Sequence, residues 1–261
     1  MLQGKVAIIT GSTRGIGFAV AEALCAQGCS VMLNGFADQD QIERRMQGLR
    51  ERFGVRVHYD PADLRLPQEN ERLVRAAVET LGSADILVNN AGVRHFGPID
   101  TFKTEDWDES LAVNLSSPFH LIRTAIPFMR QRNWGRIINM SSAFGFFATT
   151  DRVDYVTTKT ALLGLTRAVA LEVAKTGITV NAICPGTTLT PPIEARIADL
   201  MQKESLSRDE AMTRFMEHRS PAGRLVQPES LAAMVVFLCG PGGQDINGAA
   251  LPIDLAWTAG R

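Results

Sequence analysis

Short aliphatic and β-branched runs alternate with stretches of helical periodicity along the whole chain. The runs predict strands at 6–10, 30–34, 55–59, 86–89, 136–140, 179–183 and 250–253. Several are apolar at consecutive positions, as in Val6-Ala7-Ile8-Ile9 and Ile86-Leu87-Val88, where a strand with one wet face would alternate. Burial of both faces explains that pattern, as in a parallel sheet covered by helices on each side. Helical periodicity fills the gaps, for example over 18–27 and 70–81. Regular alternation of this kind predicts one α/β domain, 1–261, on a doubly wound parallel sheet of seven strands with right-handed crossovers.

One stretch breaks the rhythm. Residues 187–224 separate two predicted strands by more than a crossover helix requires. Apolar positions at Ile193, Ile197 and Leu200 follow Pro191-Pro192, and Ser207-Arg208-Asp209-Glu210 has the form of a capping box opening a second helix. An insertion after a strand's carboxyl end lies where open α/β sheets bind ligands, so 187–224 is read as a helical substrate lid.

Composition narrows the partners. Lysine and arginine number 27 against 28 acidic residues, for a net charge of −1, so there is no basic surplus for nucleic acid or an anionic membrane. No apolar stretch approaches the ~18 residues of a spanning helix. The first strand starts too near Met1 to leave room for a secretion signal. Cys25, Cys29, Cys184 and Cys239 show no metal-ligand spacing and have apolar neighbours, which predicts buried inert thiols and no metal site. A reducing, cytoplasmic location is the expectation.

Chemistry begins at Thr10-Gly11-Ser12-Thr13-Arg14-Gly15-Ile16-Gly17, between the first strand and the first helix. Glycines there permit a tight turn and let backbone N–H groups approach a pyrophosphate at a helix N-terminus. Together with Asn89-Asn90-Ala91-Gly92, Asn114, Ser142, the Tyr155-x-x-x-Lys159 pair and Pro185-Gly186, this turn resembles the ordered motifs of the short-chain dehydrogenase/reductase family. The resemblance runs from Lys5 to Trp257 and implies a single-domain Rossmann fold, a nicotinamide cofactor and interconversion of a secondary alcohol with a ketone. It implies catalysis by Asn114, Ser142, Tyr155 and Lys159. It implies cofactor contacts from Gly11, Thr13, Arg14, Gly15, Ile16, Gly17, Gly35, Phe36, Asp63, Leu64, Asn90, Ala91, Gly92, Tyr155, Lys159, Pro185, Gly186, Thr188 and Thr190. It also implies a homotetramer, for which the apolar Leu162, Leu165 and Val169 suit burial between subunits. One departure is Asp254-Leu255-Ala256, where the family carries Asp-Gly-Gly.

The tetrad suits the reaction. Tyr155 and Lys159 are four apart on a helical pattern and share a face. A free phenol ionises near about pH 10, too high for an efficient base at neutrality, and an adjacent ammonium favours the phenolate. Tyr155 then takes the alcohol proton as hydride leaves, while Ser142 hydrogen-bonds the substrate oxygen and Asn114, by resemblance, holds a water that links Lys159 to solvent.

Cofactor choice is read after the second strand, at Asn34-Gly35-Phe36. An acid in place of Gly35 would bind ribose hydroxyls, and an arginine nearby would bind a 2′-phosphate. Neither is present. Phe36 puts an apolar ring where a phosphate needs donors, and Arg14 points the other way; the reading is NAD in preference to NADP.

Leu33-Asn34-Gly35-Phe36, Ala62-Asp63-Leu64, the His95 loop and Trp257-Thr258 resemble bacterial 3-hydroxybutyrate dehydrogenases. Where that branch grips its carboxylate with glutamine, lysine and glutamine, this chain has Arg94, Arg152 and Arg196. Phe144 replaces a histidine and Thr187 a tryptophan. Guanidinium forks bind anionic oxygens directionally, and related dehydrogenases of hydroxyalkyl sulfonates carry comparable arginines. The expected substrate is therefore a small anionic alcohol or ketone, a hydroxy acid or hydroxy sulfonate, including a sulfonated sugar, held by Arg94, Ser142, Phe144, Arg152, Tyr155, Thr187, Arg196 and Trp257. Two alternatives stand: an NADPH-dependent ketoreductase of acyl or other carbonyls, and a non-catalytic dinucleotide-binding regulator.

Overall fold

A computed structural model describes residues 2–260. Seven strands, β1 (Val6–Ile9), β2 (Ser30–Asn34), β3 (Val57–Asp60), β4 (Ile86–Asn89), β5 (Gly135–Met140), β6 (Ile178–Pro185) and β7 (Ala250–Ile253), form one sheet. All pairings are parallel and the order is β3-β2-β1-β4-β5-β6-β7. Helices α1 (Gly15–Ala26), α2 (Gln39–Phe53), α3 (Pro67–Leu81), α4 (Thr104–Leu111), α5 (Ser117–Gln131), α6 (Val153–Val173) and α9 (Pro228–Cys239) flank it.

The consecutive apolar positions feed two cores. Ala7 and Ile9 enter one layer with Val20 and Leu24 of α1 and Leu231 and Val235 of α9. Val6 and Ile8 enter the other with Leu73 of α3, Leu121 of α5 and Val169 of α6. Side chains alternate faces along a strand, so a strand covered on both sides must be apolar throughout.

Boundaries shift for local reasons. β3 starts two residues later than its apolar run because Gly54, at φ 67°, closes α2 and the chain must still turn back to the sheet. α1 starts at Gly15, earlier than its periodicity indicates, since glycines carry no apolar signal. The junction of α4 and α5 is a π-helical turn over Ala112–Ser116, which no periodicity marks.

Residues 187–224 do form two helices, α7 (Pro191–Glu204) and α8 (Arg208–Met216). Ser207 and Glu210 form the reciprocal capping box: the Glu210 carboxylate accepts from the Ser207 backbone N–H at 2.8 Å, and Ser207 Oγ accepts from the Glu210 N–H at 3.4 Å. Ile193, Ile197, Phe215 and Met216 give the pair its own apolar cluster. Hydrogen bonds from Val226 N to Thr187 O and from Leu189 N to Val226 O, each 2.9 Å, close its base. Among the described residues, no helix is long and apolar enough to cross a membrane.

Candidate active site

Two cavities open at the carboxyl ends of β1, β4, β5 and β6. The first, about 590 Å³, is lined by Gly11, Thr13, Arg14, Gly15 and Ile16 of the glycine turn together with Gly35, Phe36, Asp63, Leu64, Asn90, Ala91 and Gly92, whereas Gly17 is buried in α1. Thr10 locks the two segments together. Its Oγ1 accepts the N–H groups of Asn90 and Ala91, each at 3.0 Å, and Asn90 Nδ2 donates to the carbonyls of Thr10 at 2.9 Å and Gly11 at 3.0 Å. A Cβ at Gly11 would lie 2.9 Å from Ala91 Cα, and one at Gly17 would lie 2.4 Å from the Gly11 carbonyl. Glycine alone fits this contact.

The N-terminus of α1 carries no side-chain cap and no acid in its first turn, which leaves its N–H groups to an anionic ligand. At the second strand, Tyr59 donates to the Gly35 carbonyl at 2.7 Å, and Asn34 Nδ2 donates to the carbonyls of Asp60 and Ala62 at 3.1 and 3.0 Å. Those bonds place Asp63 and Leu64 at the cavity. A hydrogen bond from Arg65 holds the Asp63 carboxyl below the usual carboxylate range. Thr190 lines both cavities, and its Oγ1 is buried without a hydrogen-bond partner among the described residues. A dinucleotide fits this donor set: backbone amides for the pyrophosphate and an orphaned hydroxyl for a polar group at the far end.

The second cavity, about 510 Å³, contains Ser142, Tyr155 and Lys159, the Pro185-Gly186-Thr187-Thr188 segment, and all the predicted substrate residues. Ser142 follows β5 and caps a short turn by accepting from the Phe144 N–H at 3.2 Å. Ser141 Oγ donates to the Lys159 carbonyl at 2.8 Å, pinning that turn to α6. Lys159 Nζ donates to the Met140 carbonyl at 2.8 Å and lies 5.5 Å from the Tyr155 ring centre. Burial pushes the Lys159 ammonium below its ordinary pKa, with Tyr155 opposing.

Asn114 lines neither cavity. The π-helical turn points its amide at Val93, whose N–H it accepts and whose carbonyl it donates to, each at 2.9 Å, and at Thr158 Oγ1, 3.2 Å away. The side chain thus braces the loop after β4, behind Lys159.

Phe144, Phe147 and Trp257 pack edge to face with centroids 5.2–5.3 Å apart and form an apolar wall, with Tyr155 6.4 Å from Phe144. The Asp-Gly-Gly departure bears on this wall. Leu255 and Ala256 occupy φ 58° and 67°, left-handed values that favour glycine, and the turn they make seats Trp257. Facing it are Arg94, Arg152 and Arg196. Arg152 is buried; its guanidinium stacks 4.1 Å from the Phe96 ring and 5.0 Å from the Tyr155 ring. Burial lowers its pKa and that of Arg196.

Sequence reasoning missed four participants. Phe96 and Arg219 line the same cavity, while Asp154 and Ser110 lie fully buried behind it. None sits in a motif, and no periodicity separates them from ordinary core or surface. Leu162 and Val169, expected between subunits, are instead buried inside the protomer, where Val169 packs with the β1 and α5 side chains.

Comparison with known proteins places these features. Residues 5–200 match the family described as short chain dehydrogenase. The chain is 42% identical over 259 residues to the D-beta-hydroxybutyrate dehydrogenase of Cupriavidus necator, covering 99% of this chain and 100% of that one. It is 41% identical over 255 residues to the enzyme of the same description from Rhizobium meliloti, covering 98% and 99%. Among solved structures, L-sorbose reductase from Gluconobacter frateurii, complexed with NADPH and L-sorbose, superposes with a TM-score of 0.92 at 32% identity, covering 97% of this chain and 95% of that one.

Proposed function

Since this chain belongs to the short-chain dehydrogenase/reductase family and is an NAD(P)-dependent oxidoreductase, we propose that it interconverts a secondary alcohol and a ketone on a small anionic substrate, with NAD preferred over NADP. One observation carries the anionic reading. Arg94, Arg152 and Arg196 line the cavity of Tyr155, and among the described residues none of them makes an ion pair with a carboxylate. Of the three, Arg152 is buried, and a buried cation without a partner is costly, a cost that an anionic ligand removes.

Residues 11–17 and 90–92 would hold the pyrophosphate, and Thr188 and Thr190 would face the nicotinamide end. Bound there, the nicotinamide supplies or accepts the hydride. Tyr155 exchanges the hydroxyl proton with the substrate oxygen, taking it in oxidation and returning it in reduction. Ser142 hydrogen-bonds the same oxygen. The Lys159 ammonium, desolvated and close to the ring, stabilises the phenolate. Asn114 keeps the 92–95 loop in place. Arg152 fixes the anionic end of the substrate so that the carbinol carbon meets the cofactor, with Phe144 and Trp257 excluding water on the other side.

The NADPH-dependent ketoreductase remains a second reading, favoured by Arg14 on the wall of the cofactor cavity and by the NADPH of the sorbose reductase. A panel of matched carboxylate, sulfonate and neutral secondary alcohols, scored by NADH and NADPH absorbance, separates the two. The anionic members should be oxidised with the highest kcat/KM, and Arg152→Ala should lose roughly 10- to 150-fold on them and little on the neutral alcohol. Equal losses on both would remove the anionic reading.

A further inference from the structure

The cationic side of the substrate cavity is longer than one carboxylate needs. Starting at the catalytic tyrosine, guanidinium groups and phenyl rings alternate outward along the lid. Arg152 lies 5.0 Å from the Tyr155 ring and 4.1 Å from that of Phe96. Arg196 lies 5.6 Å from the same Phe96 ring and 5.4 Å from that of Phe215. Arg219 lies 4.4 Å from the Phe215 ring and donates to the Phe215 carbonyl. Rings that engage guanidinium groups in this way leave their N–H edges to an anion and fix where those edges point.

Charge along this wall is unbalanced. Arg94, Arg152, Arg196, Arg219 and Lys159 face a single lining carboxylate, Asp151. Arg219, like the other three arginines, has no ion-pair partner among the described residues. Arg152 is 8% exposed and its Nε has no hydrogen-bond partner among the described residues, a fixed donor still lacking an acceptor. Burial also lowers the pKa of Arg219, and the nearby Arg196 adds to it, so these cations disfavour one another.

A monocarboxylate presents two oxygens, enough for one or two forks, and leaves the outer arginines unneutralised. We propose that the substrate carries two negative charges, both on the side of the carbinol carbon that faces Arg152, Arg196 and Arg219, with its small apolar substituent against Phe144 and Trp257. This rests on the anionic-substrate reading and narrows it. Either one doubly ionised head group or two acid groups in succession along the lid satisfies the same charge requirement.

Isosteric probes test it. 2-Hydroxypropane-1-sulfonate and 2-hydroxypropane-1-phosphonate share a shape and differ by one charge once the phosphonate is fully ionised. 3-Hydroxybutyrate and 2-(1-hydroxyethyl)succinate differ by a second acid group beyond the first. At least one dianion should exceed its monoanionic partner in kcat/KM by about tenfold or more, the worth of one added charge-assisted contact. An advantage for the phosphonate alone assigns a doubly charged head group, and one for the succinate derivative alone assigns two acid groups. In Arg219→Gln, and separately in Arg196→Gln, the dianion-to-monoanion ratio should collapse toward one. If neither dianion exceeds its partner in the wild-type enzyme, the two-charge inference is overturned, while a monoanion still preferred over butan-2-ol leaves the anionic reading standing. Butan-2-ol turned over as well as all four anions would overturn both.

Discussion

Ser110 donates its hydroxyl proton to Asp154 across 2.6 Å, and neither residue has any exposure to solvent. The same carboxylate oxygen accepts the backbone N–H of His95 at 3.1 Å. One buried acid, adjacent in sequence to Tyr155, therefore ties α4 and α6 to the loop that carries Arg94 and Phe96. Asp154→Ala leaves the buried Ser110 hydroxyl and the half-buried His95 N–H without their acceptor, a loss of roughly 1–3 kcal/mol. At roughly 2–4 °C for each kcal/mol in a domain of this size, the unfolding midpoint should fall by several degrees. KM for the substrate should rise more than kcat falls, with cofactor affinity unchanged, and Asp154→Asn should restore most of both because its amide oxygen still accepts. A midpoint within about a degree of wild type in Asp154→Ala would show that the carboxylate does not hold this loop.

Tyr155→Phe keeps the ring that packs against Arg152 and Phe144 and removes the exchangeable proton. Turnover should drop by at least about 10²–10⁴-fold, while NADH affinity measured by fluorescence titration stays near wild type. Retention of a tenth of the activity would dismiss Tyr155 as the proton-transfer group.

For the cofactor, wild type should show the higher kcat/KM with NAD. Gly35→Asp is the change that sequence alone suggests for sharpening that preference, and the structure argues against it. Gly35 sits at φ 135°, and a Cβ there would lie 3.2 Å from Thr13 Oγ1, so any side chain strains the turn. Phe36 is 68% exposed at the cavity rim and tolerates replacement. Phe36→Arg should move the ratio toward NADP by about tenfold or more, since a guanidinium pairs a 2′-phosphate. A wild-type preference for NADP of that size would instead give Arg14 control of the pocket.

Burial pushes the thiols of Cys25 and Cys29 up to about 12 and that of Cys184 up to about 11, from an ordinary value of 9.0. The folded protein keeps these protons while the unfolded chain loses them. Stability from the neutral thiols is therefore complete below pH 9 and is lost progressively as pH rises toward 11–12. The midpoint of urea unfolding should decline over that window, and Cys29→Ala should flatten the decline. At pH 8, an aromatic disulfide reagent should modify none of the four thiols in minutes and all four in guanidinium; rapid labelling of the native protein would contradict the burial.

Assembly is expected to be tetrameric, through exposed faces of α5 and α6. With Leu162 and Val169 inside the protomer, the exposed apolar side chains on the adjacent helices are Phe119 of α5 and Leu171 of α6, the latter 79% exposed. Light scattering at micromolar concentration should give a species larger than the monomer, and Leu171→Asp should reduce its mass. A monomeric wild type would end this expectation.

The parts of the molecule legible in the sequence are those that the backbone encodes over a few residues. Consecutive apolar positions specified strands covered on both faces, glycine spacing specified the turn between β1 and α1, Tyr155 and Lys159 specified one helix face, and Ser207 with Glu210 specified the start of α8. Periods and caps depend on local geometry, so they survive without knowledge of the fold. The brace from Asp154 to Ser110 and His95, and the ladder from Arg152 through Phe96, Arg196 and Phe215 to Arg219, join residues that lie far apart in the chain. Whether Leu162 points into the core or Asn114 toward Val93 depends likewise on the packing of α6 and on a π-helical turn. Such contacts follow from how the crossover helices and the α7–α8 pair converge on the ends of β4, β5 and β6. That convergence is set by the sum of packing over the whole domain, and no short window of sequence contains it.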